Sequence, residues 1–170
     1  QRTWEEFDGK YRIVYFGYSF CPDVCPVDLQ KLMQGFRRFE QRDPSKARTV
    51  QPIFISIDPE RDTQQVVGQY AAAFHPRLIG LTGSKDAIAD AANKFAVFFG
   101  RVESSGKTGG SSEYLMDHSR QAYLMDPDGK PLLAFVVPPA DDDSGAGYEA
   151  RWQRGRAFGE LLNHGGDQAL

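Results

Sequence analysis

The stretch YRIVYFGYSF (11–20) is a run of apolar and β-favouring residues. It predicts a buried central strand. The period then changes. In CPVDLQKLMQGFRRFEQ (25–41), Leu29, Leu32, Met33, Phe36 and Phe39 recur at helical spacing, which predicts an amphipathic helix. Pro26 suits the first helical position and is poorly tolerated in a helix interior. The helix is therefore expected to start near Pro26, with Cys25 at its N-terminal edge and Cys21 in the loop before it. VQPIFISID (50–58) predicts a second strand, and DPERDT turns it into a helix with Asp62 or Thr63 as N-cap. Val66, Val67, Tyr70, Ala71 and Phe74 form that helix's apolar face.

Further along, LIGLTG (78–83) predicts a short strand, SKDAIADAANKF a third helix capped by Ser84, and AVFFGRV (96–102) another strand. ESSGKTGGSS (103–112) reads as a flexible loop. RQAYLMDPDGKPLLAFVV (120–137) reads as a hairpin turning at DPDG. PPADDDSGAG (138–147) reads as a second loop and YEARWQRGRAFGELLNH (148–164) as a C-terminal helix. Strand and helix alternate, then a hairpin and a last helix follow. This is an α/β pattern, with a mixed central sheet flanked by helices and one domain over 1–170. A cysteine pair between the first core strand and its helix fits the thioredoxin-like arrangement.

Composition excludes some functions. The 170 residues suffice for a domain with a real core. The formal net charge is -3, which argues against nucleic acid or an anionic membrane surface as the main partner. No apolar run is long enough to span a bilayer. The chain starts at Gln1 rather than Met, which reads as a mature or trimmed fragment whose anchor would be out of view.

The chemistry lies in SFCPDVCP (19–26), which holds the only two cysteines. A structural disulfide closing so small a loop would stabilise the fold little. A thiol at a helix N-terminus feels the positive end of the dipole, which favours the thiolate. Thiolate is both nucleophile and metal ligand, so redox chemistry and metal binding both remain open. Thioredoxin-type enzymes carry Cys-x-x-Cys, and here one more residue intervenes. Two thiolates would suit Cu(I) or await a third donor, and His75, His118 and His164 are the only histidines. His118 directly precedes the strand RQAYLMD, where a thioredoxin-like sheet brings the chain beside the cysteine loop. It is the expected third ligand, and the flexible stretch before it is either a plain surface loop or a device that lets it swing toward and away from the sulfurs. His75, before Pro76, and His164 are expected to be ordinary surface or hydrogen-bonded histidines.

FGYSFCPDVCP, FISIDPERDT, GLTG and MDHS…YLMDPDGK stand in an order and spacing that resembles the Sco family, also called SenC or PrrC, from about residue 3 to 136. The resemblance implies a thioredoxin-fold, copper-binding assembly factor for cytochrome c oxidase. It implies Cys21, Cys25 and His118 as copper ligands, with Asp117 orienting the site or tuning its charge. It also implies cytochrome c oxidase subunit II as partner, a possible donor copper chaperone, and a place in the bacterial periplasm, tethered to the inner membrane, or in the mitochondrial intermembrane space. The alternative is a thiol–disulfide oxidoreductase, with Cys21 attacking and Cys25 resolving. A peroxiredoxin-like peroxidase would need a Thr-x-x-Cys arrangement that is absent. DPERDT is expected to be mainly turn and cap chemistry. The acidic stretch after Pro138 is longer than the resemblance implies, and reads as a surface loop or part of a partner surface.

Overall fold

The structure, a computed structural model, describes residues 2–103 and 114–137. The chain divides into the units Gln1–Val137 and Pro138–Leu170, and every described residue lies in the first. The expected loop at 103–112 falls outside the described residues from position 104 on, as do the whole of the loop at 138–147, the helix at 148–164 and His164.

A short 3-10 turn, Trp4–Phe7, leads into β1 (Tyr11–Gly17). There follow α1 (Val24–Arg42), α2 (Pro44–Ala47), β2 (Val50–Ser56), α3 (Gln64–Phe74), β3 (Ile79–Leu81) and α4 (Lys85–Lys94). The last described elements are β4 (Phe99–Glu103), β5 (Tyr114–His118), β6 (Gln121–Met125) and β7 (Pro131–Val136). The main sheet runs β3-β2-β1-β6-β7, parallel from β3 to β1 and antiparallel beyond. This mixed sheet with flanking helices is the expected thioredoxin-like α/β fold.

The central position of β1 and β2 explains their composition. Every residue of β2 is buried, as expected for a parallel strand covered on both faces. From α1, Leu29, Met33 and Phe36 bury against this core, as do Val67 and Ala71 from α3 and Ile88 and Ala92 from α4. Thr63 caps α3 by accepting from the Val66 N–H, and Ser84 caps α4 by accepting from the Ala87 N–H.

Helix α3 approaches β3 closely at Gly80. A Cβ there would lie 2.4 Å from the Val67 carbonyl oxygen and 2.9 Å from its carbonyl carbon. Backbone cannot rotate aside as a side chain can, so α3 would have to lift from the sheet. Gly80→Ala is expected to lower stability by about 2–3 kcal/mol, read as a lower urea midpoint at unchanged slope. A loss under about 0.5 kcal/mol would refute the close-packing reading.

Two expectations are corrected. Helix α1 begins at Val24, not Pro26, so Cys25 lies within the first turn. Pro26 is tolerated there because N–H groups of a first turn lack intrahelical partners in any case. His118 ends a strand rather than a loop. β5 pairs antiparallel with β4, Phe99 opposite His118, in a separate two-stranded sheet. The residues just before His118 are thus held in a ladder, which removes the basis for a freely swinging histidine.

Candidate metal centre

Cys21 lies in the loop between β1 and α1, half-buried, and Cys25 is fully buried in the first turn of the helix. The α1 N-cap, Asp23, makes no side-chain cap hydrogen bond. Instead, the Cys25 N–H donates to Cys21 Sγ at 3.4 Å. Sulfur therefore fills the capping role, and the helix terminus favours negative charge on it. Gly17 makes room for the second sulfur, since a Cβ there would come within 3.0 Å of Cys25 Sγ.

His118 completes the group. Its Nε2 lies 3.1 Å from Cys25 Sγ, and its Nδ1 lies 2.8 Å from the Ser119 carbonyl oxygen. A carbonyl only accepts, so Nδ1 carries the proton and the Nε2 lone pair faces the sulfurs. The rings of Tyr15 and Tyr18 stand edge-on to the imidazole, at 6.5 and 6.1 Å between centroids. Donor atoms of Cys21, Cys25 and His118 all lie within 4.8 Å of one another. Among the described residues this is the one such group.

The two sulfurs differ in charge. A hydrogen bond from Cys25, together with the N–H groups of Asp23 and Cys25, brings the Cys21 thiol down to about 3 against the desolvation of its burial. The hydrogen bond to Cys21 and burial push Cys25 the other way, far above an ordinary thiol. The pair thus holds one thiolate, on the half-exposed sulfur, and one proton, on the buried one. Two sulfurs and an unprotonated imidazole nitrogen make a donor set that fits copper: soft for Cu(I), with imidazole suited to Cu(II).

The other expected residues fall elsewhere. Asp117 is exposed, and alternation along β5 sends its side chain to the face opposite that of His118. His75 is buried at the end of α3, with Nε2 3.0 Å from the Glu40 carboxylate and Nδ1 accepting from the Arg77 N–H. It is a structural tie, hydrogen-bonded as expected.

Sequence reasoning missed the surroundings of the site. Asp28 is fully buried and accepts from Tyr15 Oη at 2.9 Å and from Arg120 at 2.8 and 3.1 Å. A signal was present, since an acidic residue falls on the buried stripe of α1 between Cys25 and Leu29. DPERDT proves more than a turn. Asp62, also fully buried, accepts from the Ser19 N–H at 3.0 Å and from the hydroxyls of Ser19 and Ser56. Asp58 accepts from Tyr114 Oη and Arg61 Nε, each at 2.5 Å. Arg61 also donates to the Tyr114 carbonyl at 2.9 Å and lies over the Tyr114 ring. The segment ties the cysteine loop, through Ser19, and the start of β5, through Tyr114, to the end of β2.

Comparison with known proteins agrees with this geometry. A sequence model of the SCO1/SenC family matches residues 1–145. The mitochondrial protein SCO2 homolog of Mus musculus is 41% identical over 124 residues, 73% of this chain and 46% of its own. The chain therefore spans less than half the length of that curated relative. Among solved structures, Arabidopsis thaliana ScoI with copper bound is 36% identical with a TM-score of 0.70, covering 88% of each chain. Yeast Sco1 with copper bound is 35% identical with a TM-score of 0.66, covering 86% of this chain and 77% of its own.

Proposed function

This chain belongs to the SCO1/SenC family, and from that premise we propose that it is a copper metallochaperone serving cytochrome c oxidase assembly. Copper is its cargo, held one ion at a time by Cys21 Sγ, Cys25 Sγ and His118 Nε2. The observation that carries this reading is the convergence of two sulfurs and one unprotonated imidazole nitrogen within 4.8 Å. Family membership supports it, since the Sco family is one of cytochrome c oxidase assembly proteins. The acceptor is subunit II and its binuclear copper centre, and a separate chaperone would supply the metal. The protein acts in the bacterial periplasm, tethered to the inner membrane, or in the mitochondrial intermembrane space. No helix among the described residues is long and apolar enough to cross a membrane.

Handover follows from exposure. Cys21 and His118 are half-buried and Cys25 fully buried, so incoming ligands reach the first two donors, and Cys25 releases last. Titration of the reduced protein with copper should saturate at one ion per chain, with Cu(II)–thiolate absorption. Saturation without a thiolate band would remove the reading.

Binding must also displace protons. Cys21 is already a thiolate at neutral pH, so only the Cys25 proton has to leave. About one proton per copper is expected, and affinity should rise about tenfold per pH unit from neutrality upward. Calorimetry in buffers of different ionisation heat measures the count. Two protons per copper would mean that the sulfurs titrate as ordinary thiols.

One observation favours a second activity, thiol–disulfide exchange. The low-lying, half-exposed Cys21 thiolate beside a buried, protonated Cys25 is the arrangement of an attacking and a resolving thiol. The target would be the cysteines of the same oxidase subunit. Turnover on an oxidised partner, together with the dithiol reduction potential, tests it.

A further inference from the structure

We propose that the ion pair between Arg120 and Asp28 is the positioning device that holds His118 against the two sulfurs; this rests on the copper reading of the site. His118 ends β5, and Ser119 and Arg120 make the turn into β6. That turn is fastened on three sides. Toward β4, the Ser119 N–H donates to the Phe98 carbonyl at 2.9 Å, and the Phe98 N–H to Ser119 Oγ at 3.0 Å. Toward the main sheet, it continues into β6. Toward α1, Arg120 reaches Asp28 with a fork, Nη2 to Oδ1 at 2.8 Å and Nε to Oδ2 at 3.1 Å. Asp28 stands three residues after Cys25 on the same helix. The fork therefore joins the element that carries the imidazole to the element that carries the buried sulfur.

Stability alone is a weak reason for this pair. Asp28 occupies the apolar stripe of α1, in line with Leu29, Met33 and Phe36, and has no exposed surface. Replacing a buried ion pair by apolar residues is often neutral or stabilising. A bidentate arginine–carboxylate contact provides something an apolar contact does not: it fixes both distance and orientation. Tyr15 adds to this. Its hydroxyl donates to the same carboxylate, and its ring stands edge-on to His118. One carboxylate thus fixes the turn after the histidine and a ring beside it. Position matters here because a lone pair must meet the sulfurs' common metal within tenths of an ångström.

The experiment compares Arg120→Ala, Arg120→Lys and the double variant Arg120→Ala/Asp28→Leu with the wild type. The double variant leaves no buried charge unpaired, so it stays informative if the single one unfolds. Cu(II) affinity by competition, and nitrogen hyperfine coupling by electron paramagnetic resonance, report on the loaded site. In the metal-free protein, imidazole nitrogen chemical shifts report on the His118 ring. The alanine and double variants are expected to bind Cu(II) roughly ten- to a hundredfold more weakly, with diminished nitrogen coupling. Their metal-free His118 should exchange between tautomers, where the wild type holds the Nδ1–H form. Arg120→Lys should fall between, since it keeps the charge and loses the fork. In a His118→Ala background, Arg120→Ala should change affinity by less than about twofold. Affinity within about twofold of wild type and an unchanged His118 ring in the double variant would overturn the proposal. So would an equal loss of affinity in both backgrounds, which would mean that the pair acts on the sulfurs. Absence of copper binding by the wild type would instead sink the copper reading, while the metal-free ring would still report on positioning.

Discussion

His118→Ala is expected to weaken copper binding by roughly 100- to 1,000-fold while leaving Cys21 and Cys25 able to close into a disulfide. A four-ligand structural zinc site yields about 10–16 kcal/mol of apparent binding energy, so one ligand carries about 2.5–4 kcal/mol. In this site the lost donor is one of three, and the remaining sulfurs form an incomplete set for Cu(II). The Cu(II)–thiolate spectrum should shift, and nitrogen coupling should vanish. Cys25→Ala is the matching control. It should lose both copper binding and disulfide formation, because both sulfurs are needed for either. The pair of variants separates the two activities, since exchange chemistry does not require the imidazole as a ligand. Copper binding by His118→Ala at wild-type affinity, with an unchanged spectrum, would show that His118 is not a ligand.

Asp62→Ala is expected to lower stability by about 3–5 kcal/mol, a large share of the roughly 5–15 kcal/mol that holds an ordinary domain folded. The carboxylate is completely buried and accepts from the Ser19 N–H and the hydroxyls of Ser19 and Ser56. Hydrogen bonds to a charged group contribute about 1.5–3 kcal/mol each, and truncation strands buried donors besides. The loss also reaches the site. Ser19 stands two residues before Cys21, so freeing it loosens the loop that carries the half-exposed thiolate. Chemical denaturation measures the loss, and added copper should recover part of it because the metal binds only the folded chain. A loss under about 1 kcal/mol would show that Asp62 acts as an exposed turn residue does. Asp62→Asn keeps an acceptor for the Ser19 N–H and should cost less.

The site was legible where its logic is local. Apolar runs, a change from strand to helical period and two cysteines at the junction placed Cys21 and Cys25 correctly to within two residues of the helix start. Cap residues did the same for α3 and α4, and DPDG for the hairpin of β6 and β7. His118 was found by its place before a recognisable strand. The strand it ends was missed. Tyr114, Met116 and His118 face inward while Leu115 and Asp117 are exposed, but five residues beside a Gly/Ser-rich stretch give too short an alternation to stand out.

The sequence by itself determined the α/β order, the thiol pair at a helix N-terminus and the histidine that joins the pair in one group. These depend on periods of two and 3.6 residues and on backbone groups within one turn. Tertiary structure decided the rest. It put Asp28 and Arg120, 92 residues apart, in one fork, and Ser19 and Asp62, 43 apart, in one network. It sent Asp117 away from the two sulfurs and turned the Nε2 of His118 toward them. A carboxylate's role depends on whether packing buries it and which donors then reach it. Neither is written in its neighbours along the chain.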